Sequence, residues 1–136
     1  MKPKALGPVK GLRFYIFTMN TFIMNGYLWT VRFVNPTSYF LTDRTGERRV
    51  ATTDPDTLCI YLSRGLYGDF LATVLTHEMG HVAMFSYHLV DSLHRIVQPE
   101  HWVDIEEWVC NFIADYGEEI RDIVSRLLLS NNLQAL

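Results

Sequence analysis

A chain of 136 residues has room for one hydrophobic core and no second domain of ordinary size. Its formal charge of −3 and pI near 5.9 argue against nucleic acid as the main partner, because that role calls for a basic face. No stretch approaches the ~20 apolar residues of a membrane span, so a membrane protein is not expected either.

Residues 1–12 hold two prolines, two glycines and three lysines and read as a flexible lead-in to a single domain over 13–136. Lys2, Lys4, Lys10 and Arg13 are then a solvated tail. The apolar patch Phe14 to Phe17 is soon broken by Thr18, Asn20 and Thr21 with no small-residue cleavage site after it, so it fails as a signal peptide. From Arg13 to Ser63 the texture is that of strands. Tyr27 to Val34 is aromatic and β-branched and ends at Asn35-Pro36-Thr37. Ser38 to Leu41 and Arg48 to Thr52 flank residues 43–47, which have the composition of a hairpin loop. Asp54-Pro55-Asp56 reads as a turn, and Leu58 to Leu62 as the last strand. Cys59 and Cys110 both lie in apolar runs and read as buried free thiols in a reducing compartment, by default the cytoplasm.

The periodicity becomes helical after Gly65. Asp69 is placed to cap a helix running from Phe70 to about Tyr87. Pro99 interrupts the next segment, Asp104 is placed to cap a second helix towards Tyr116, and Gly117 marks its end or a kink. A last amphipathic helix is expected from Glu118 to Leu129. Strands first and helices later predict an α+β fold.

The first of these helices carries His77-Glu78-Met79-Gly80-His81, an H-E-x-x-H motif. Histidines four apart share one helical face and can converge on a single Zn²⁺, while the glutamate between them can reach a water at that metal. So short a pattern arises by chance about once in a hundred shuffles of this composition, and its context has to decide. Gly80 costs about 1 kcal/mol relative to alanine inside a helix, which points to close packing there.

A catalytic zinc needs a third protein ligand. His88 would lie ~10 Å further along a continuing helix, too far to share one metal. His94 and His101 are reachable from loops, although they and His88 read more simply as surface or loop residues. Positions 84 and 87 hold Met84 and Tyr87, so the extended histidine motif of metzincins is absent. Glu106 and Glu107 are the remaining ligand candidates, and Glu107 is favoured. Asn111 follows it one turn later and can orient a ligand histidine, whereas Glu106 is followed by Cys110. Trp29, Trp102 and Trp108 read as packing residues rather than a ligand cage. Asp115 and Tyr116 can line the site or serve helix packing equally well.

The motif H-E-M-G-H, followed by Glu107-Trp108-Val109-Cys110-Asn111-Phe112-Ile113-Ala114, resembles the ImmA/IrrE-type metallopeptidases, small gluzincins of bacteria, phages and mobile elements. Their pattern is H-E-x-G-H, then a glutamate three before a small residue, then Asn-x-Phe-Ala. Glu107, Cys110, Asn111, Ile113 and Ala114 fall on those positions, with cysteine in place of alanine and isoleucine in place of phenylalanine. The resemblance covers residues 48–116. It implies a zinc held by His77, His81 and Glu107, Glu78 as catalytic base, and a minimal zincin fold. Such a fold has a small, mainly antiparallel sheet on the H-E-x-x-H helix with the Glu107 helix opposite.

The expected activity is therefore a zinc endopeptidase acting on a protein or peptide. Two other classes stand beside it: a catalytically silent zincin-fold module of a phage or mobile element that binds a host protein, and a metal hydrolase of a non-peptide amide. Glu78 favours the hydrolases, since a purely structural site does not need it. An extended substrate would add to the edge of the Leu58–Leu62 strand, and Tyr87, His101 and Tyr116 are the candidate oxyanion donors.

Overall fold

The computed structural model describes residues 20–131, so the lead-in over 1–12 and the patch Phe14 to Phe17 lie outside the described residues. The described chain opens with a strand that the apolar pattern alone does not announce. Strand β1 (Thr21–Met24) turns through Asn25-Gly26 into β2 (Tyr27–Val34). Both turn residues have positive φ, at 49° and 83°, as a type I′ hairpin turn requires. The strand Tyr27–Val34 is as the sequence predicts.

Two further strands complete a four-stranded sheet: β3 (Ala51–Asp54) and β4 (Cys59–Ser63), in the order β1-β2-β4-β3. The outer pairings are antiparallel, but the central β2–β4 pairing is parallel, running from Thr30↔Cys59 to Val34↔Ser63. The sheet is therefore mixed. All five residues of β4 are buried, because both faces of the strand are covered. Ile60 and Leu62 join Trp29 and Val82 in the main core, while Cys59 and Tyr61 meet Leu41 on the other face. The expectation that substrate adds to the edge of this strand is thereby overturned, since β4 has a partner on each side. The edge strands are β1 and β3.

The expected strand from Ser38 to Leu41 is instead a 3-10 turn, Tyr39–Leu41. Ser38 Oγ accepts from the Phe40 amide at 3.2 Å, a local bond that competes with strand pairing. All that remains of the hairpin is the bridge Thr42↔Arg48.

Helix α1 (Gly68–Ser86) lies over the sheet. Its cap position is Tyr67, with Asp69 in the first turn, where its charge complements the helix dipole. Leu71, Val74, Leu75, Met79, Val82 and Phe85 recur at helical spacing and pack on Trp29, Ile60 and Leu62. Trp29 is fully buried, and its indole N–H donates to Ser86 Oγ at 2.9 Å. This ties the last turn of α1 to the middle of the sheet. His88, just past the helix, adopts a left-handed φ of 57°, and its Nε2 lies 3.0 Å from the Tyr27 hydroxyl.

A short helix α2 (Val90–His94) follows, and the turn Pro99–His101 leads into α3 (Trp102–Asn131). The sequence predicts two helices here, broken at Gly117. The structure has one of 30 residues that passes through Gly117, with Asp104 in its first turn rather than at a cap. A single glycine costs about 1 kcal/mol, too little to end a helix whose next two turns are good helix formers. No helix among the described residues is long and apolar enough to cross a membrane.

Candidate metal centre

The sheet-facing residues of α1 leave His77, Gly80, His81 and Met84 on the side turned to α3. Contact there is close. A Cβ placed on Gly80 would sit 3.0 Å from Cys110 Sγ and 3.4 Å from Cys110 Cα, so the two helices approach at a distance only glycine permits without a shift. Burial pushes the Cys110 thiol up to about 12, helped by the nearby carboxylates, so it stays a neutral packing group.

This approach brings Glu107 across to the histidine pair. Glu107 Oε2 lies 3.0 Å from His77 Nε2, and Oε1 lies 3.1 Å from His81 Nε2. One ligand atom from each of these residues falls within a 4.8 Å group. A tetrahedral Zn²⁺ with bonds of ~2.0–2.1 Å sets its ligand atoms about 3.3 Å apart, a separation that a group within 4.8 Å can reach. Two imidazoles and one carboxylate are also the donor set of a catalytic zinc that keeps a position open. The residues present fit the metal. Asn111, one turn after Glu107, is directed at His77 and favours its charged form.

Glu78 leaves the helix in another direction, towards the sheet, and is 6% exposed. Its Oε1 accepts from Thr53 Oγ1 at 2.9 Å, and its Oε2 lies 3.8 Å from His77 Nε2. Burial pushes the Glu78 carboxyl up, against the pull of His81 and Thr53. A base needs that direction of shift, towards neutral pH. Thr53 escaped the sequence reading because it lies 25 residues from Glu78 on β3.

The site opens into one broad cleft. Its lining includes Thr53 and Asp54 of β3, Thr73, His77, Glu78 and His81 of α1, His88, Glu107, Asn111 and Asp115 of α3, and Arg44 and Arg49. Tyr87, His101 and Tyr116 do not line it. Each is more than half exposed, Tyr87 just after α1, Tyr116 beside Phe112 on α3, and His101 near Glu100 and Asp104. The three residues expected as oxyanion donors are thus not among those that line the cleft. The other candidate ligands also lie elsewhere. Glu106 is 1% exposed and pairs with Arg44 and with His94, which stacks on Trp102.

Two expected results follow from this geometry. Gly80→Ala gains about 1 kcal/mol of helix propensity but overpacks the α1–α3 contact by about 1–3 kcal/mol. The few tenths of an ångström needed to relieve it exceed the ~0.2 Å tolerance of a metal site. Zinc titration is therefore expected to give weaker binding in this variant, with a melting temperature unchanged or lower by several degrees.

The second concerns pH. Glu107 raises the pKa of His77 above 6.5, and the two histidines in turn hold the Glu107 carboxyl far below its usual 4.5. In metal-free protein the His77 contribution is complete below pH ~6.5 and is lost as pH rises through the raised value. The Glu107 contribution is present above ~4.5 and is lost in acid. Zinc must displace the proton on His77, so its affinity should instead increase as pH rises through that same raised value. Thermal melts from pH 5 to 8 with and without zinc should therefore show opposite trends above pH 6.5.

No family model, curated protein or solved structure matches the chain. The resemblance to ImmA/IrrE-type metallopeptidases accordingly stands on the motif residues themselves.

Proposed function

We propose that the protein is a zinc-dependent peptidase with a gluzincin-type site on a minimal zincin-like fold. The observation that carries this reading is the Glu107 carboxylate set against both motif histidines, with the buried Glu78 beside them. When bound, the zinc ion supplies Lewis acidity to a carbonyl and to a water molecule at the open position. His77, His81 and Glu107 would hold it, with Asn111 keeping the His77 ring oriented.

Glu78 would take a proton from the attacking water and deliver it to the departing amine. Thr53 Oγ1 bonds to the Glu78 carboxylate, which puts β3 beside the proposed base. Among the described residues β3 pairs with β4 alone, so an extended peptide would add along its other backbone edge. A peptide laid along that edge would present its backbone carbonyls to the metal, which favours a peptide over a small amide as substrate.

The test is to incubate zinc-loaded protein with a complex mixture of unfolded peptides and identify new termini by mass spectrometry. The proposal requires cleavage that a chelator stops and added zinc restores. Cleavage that persists in chelator would reject the metal-dependent mechanism, and zinc binding without any cleavage would leave the silent binding module as the better reading.

A further inference from the structure

Glu106, the neighbour of the candidate ligand, is the most completely buried acid of the described chain and does not line the cleft. Two side chains from other parts of the fold meet on its carboxylate, and a third braces one of them. Arg44, from the loop after Thr42, donates through Nη2 to Oε2. His94, the last residue of α2, places Nε2 3.2 Å from Oε1. Trp102, the first residue of α3, stacks on the His94 ring at 4.3 Å and donates its indole N–H to the His94 carbonyl at 3.0 Å.

The loop that presents Arg44 is itself held. Asp43 Oδ1 accepts from the amides of Thr45 and Glu47 and from the Thr45 hydroxyl, and Oδ2 pairs with Arg49 Nε at 2.7 Å. Burial opposes ionisation of Asp43, but these bonds outweigh it and bring the carboxyl down to about 2. Arg44 therefore extends from a rigid turn on the β3 side of the cleft to the helix on the other side.

Consecutive residues of a helix point ~100° apart, so fixing the direction of Glu106 fixes that of Glu107. A rotation of α3 by ~10° moves an atom ~5–6 Å from its axis by about 1 Å. A metal site tolerates ~0.2 Å. The Gly80–Cys110 contact sets how near α3 stands to α1, and the Glu106 cluster adds a hold on a second side of the same helix.

We propose that Arg44 is a positioning residue of the metal site: through Glu106 it stops α3 from rolling and keeps Glu107 facing His77 and His81. The inference rests on the zinc reading above for its function, while its geometric content holds for the metal-free protein too.

The experiment compares zinc dissociation constants, by competition with a chromogenic chelator, for the natural protein, Arg44→Met, Arg44→Lys and the control Arg48→Met. Arg48 bonds to the Pro36 carbonyl, away from α3. Circular dichroism checks that each variant is folded at the temperature used. Arg44→Met should bind zinc about 10–100-fold more weakly, the usual range for an outer-shell partner. Arg44→Lys keeps a charge for Glu106 without the planar fork and should fall between, and Arg48→Met should stay within about twofold. Folded Arg44 variants with unchanged affinity would overturn the proposal. If Arg44→Met does not fold, Arg44→Lys decides alone, and natural affinity in that variant would sink the idea.

A natural protein that takes up no zinc would defeat the underlying reading but still leave the positioning claim open to a second readout. His77 and His81 ring resonances of metal-free protein should shift in the Arg44 variants, and unchanged resonances would reject the claim.

Discussion

Glu107→Ala is expected to weaken zinc binding by more than 100-fold, beyond the range for loss of an outer-shell partner. Among the described residues it is the one carboxylate that joins the two motif histidines in a group able to hold a metal. Glu106 cannot substitute, because it is buried on another side of α3 with Arg44 and His94. The contrast with Glu106→Ala is therefore informative. That variant should lose stability, since it removes the partner of two basic side chains, and should bind zinc about as weakly as Arg44→Met while still taking up one ion. Equal metal retention in both variants would refute the ligand assignment.

Glu78→Gln is the second large effect. Glutamine keeps the size of the side chain and can still bond to Thr53 Oγ1, so fold and metal affinity should survive. What it loses is a group able to accept a proton, and general bases of this kind contribute about 10²–10⁴-fold. Peptide cleavage should fall by at least ~100-fold at unchanged zinc content. Activity that survives the substitution would remove Glu78 from the proposed role. The same variant separates the two function classes, because a binding module would lose nothing.

How far the sequence could be read depends on the range of each interaction. His77 and His81 share a face through helical periodicity alone, and Glu107 was reachable through the one-turn spacing to Asn111. Tyr27–Val34 was legible because eight consecutive residues carry the strand signature. The hairpin before it was signalled by Asn25-Gly26, a strong type I′ pair. Gly117 misled, since a glycine is a stop signal only when nothing around it sustains the helix.

The remaining errors are of long range. That β4 lies between β2 and β3 is a matter of strand order, and no local pattern distinguishes a buried central strand from an apolar edge. Thr53 meets Glu78 across 25 residues, and Arg44 meets Glu106 across 62. These pairings exist only once the sheet and α3 are in place, which is why the supports of the site were invisible while its motif was not.

The most direct test of the zinc centre is the metal content of the purified protein by elemental analysis, after exposure to zinc and removal of the excess. The geometry of His77, His81 and Glu107 predicts one zinc per chain, absent from a preparation of Glu107→Ala treated in the same way. A folded natural protein that retains no zinc, or a variant that retains as much as the natural chain, would contradict it.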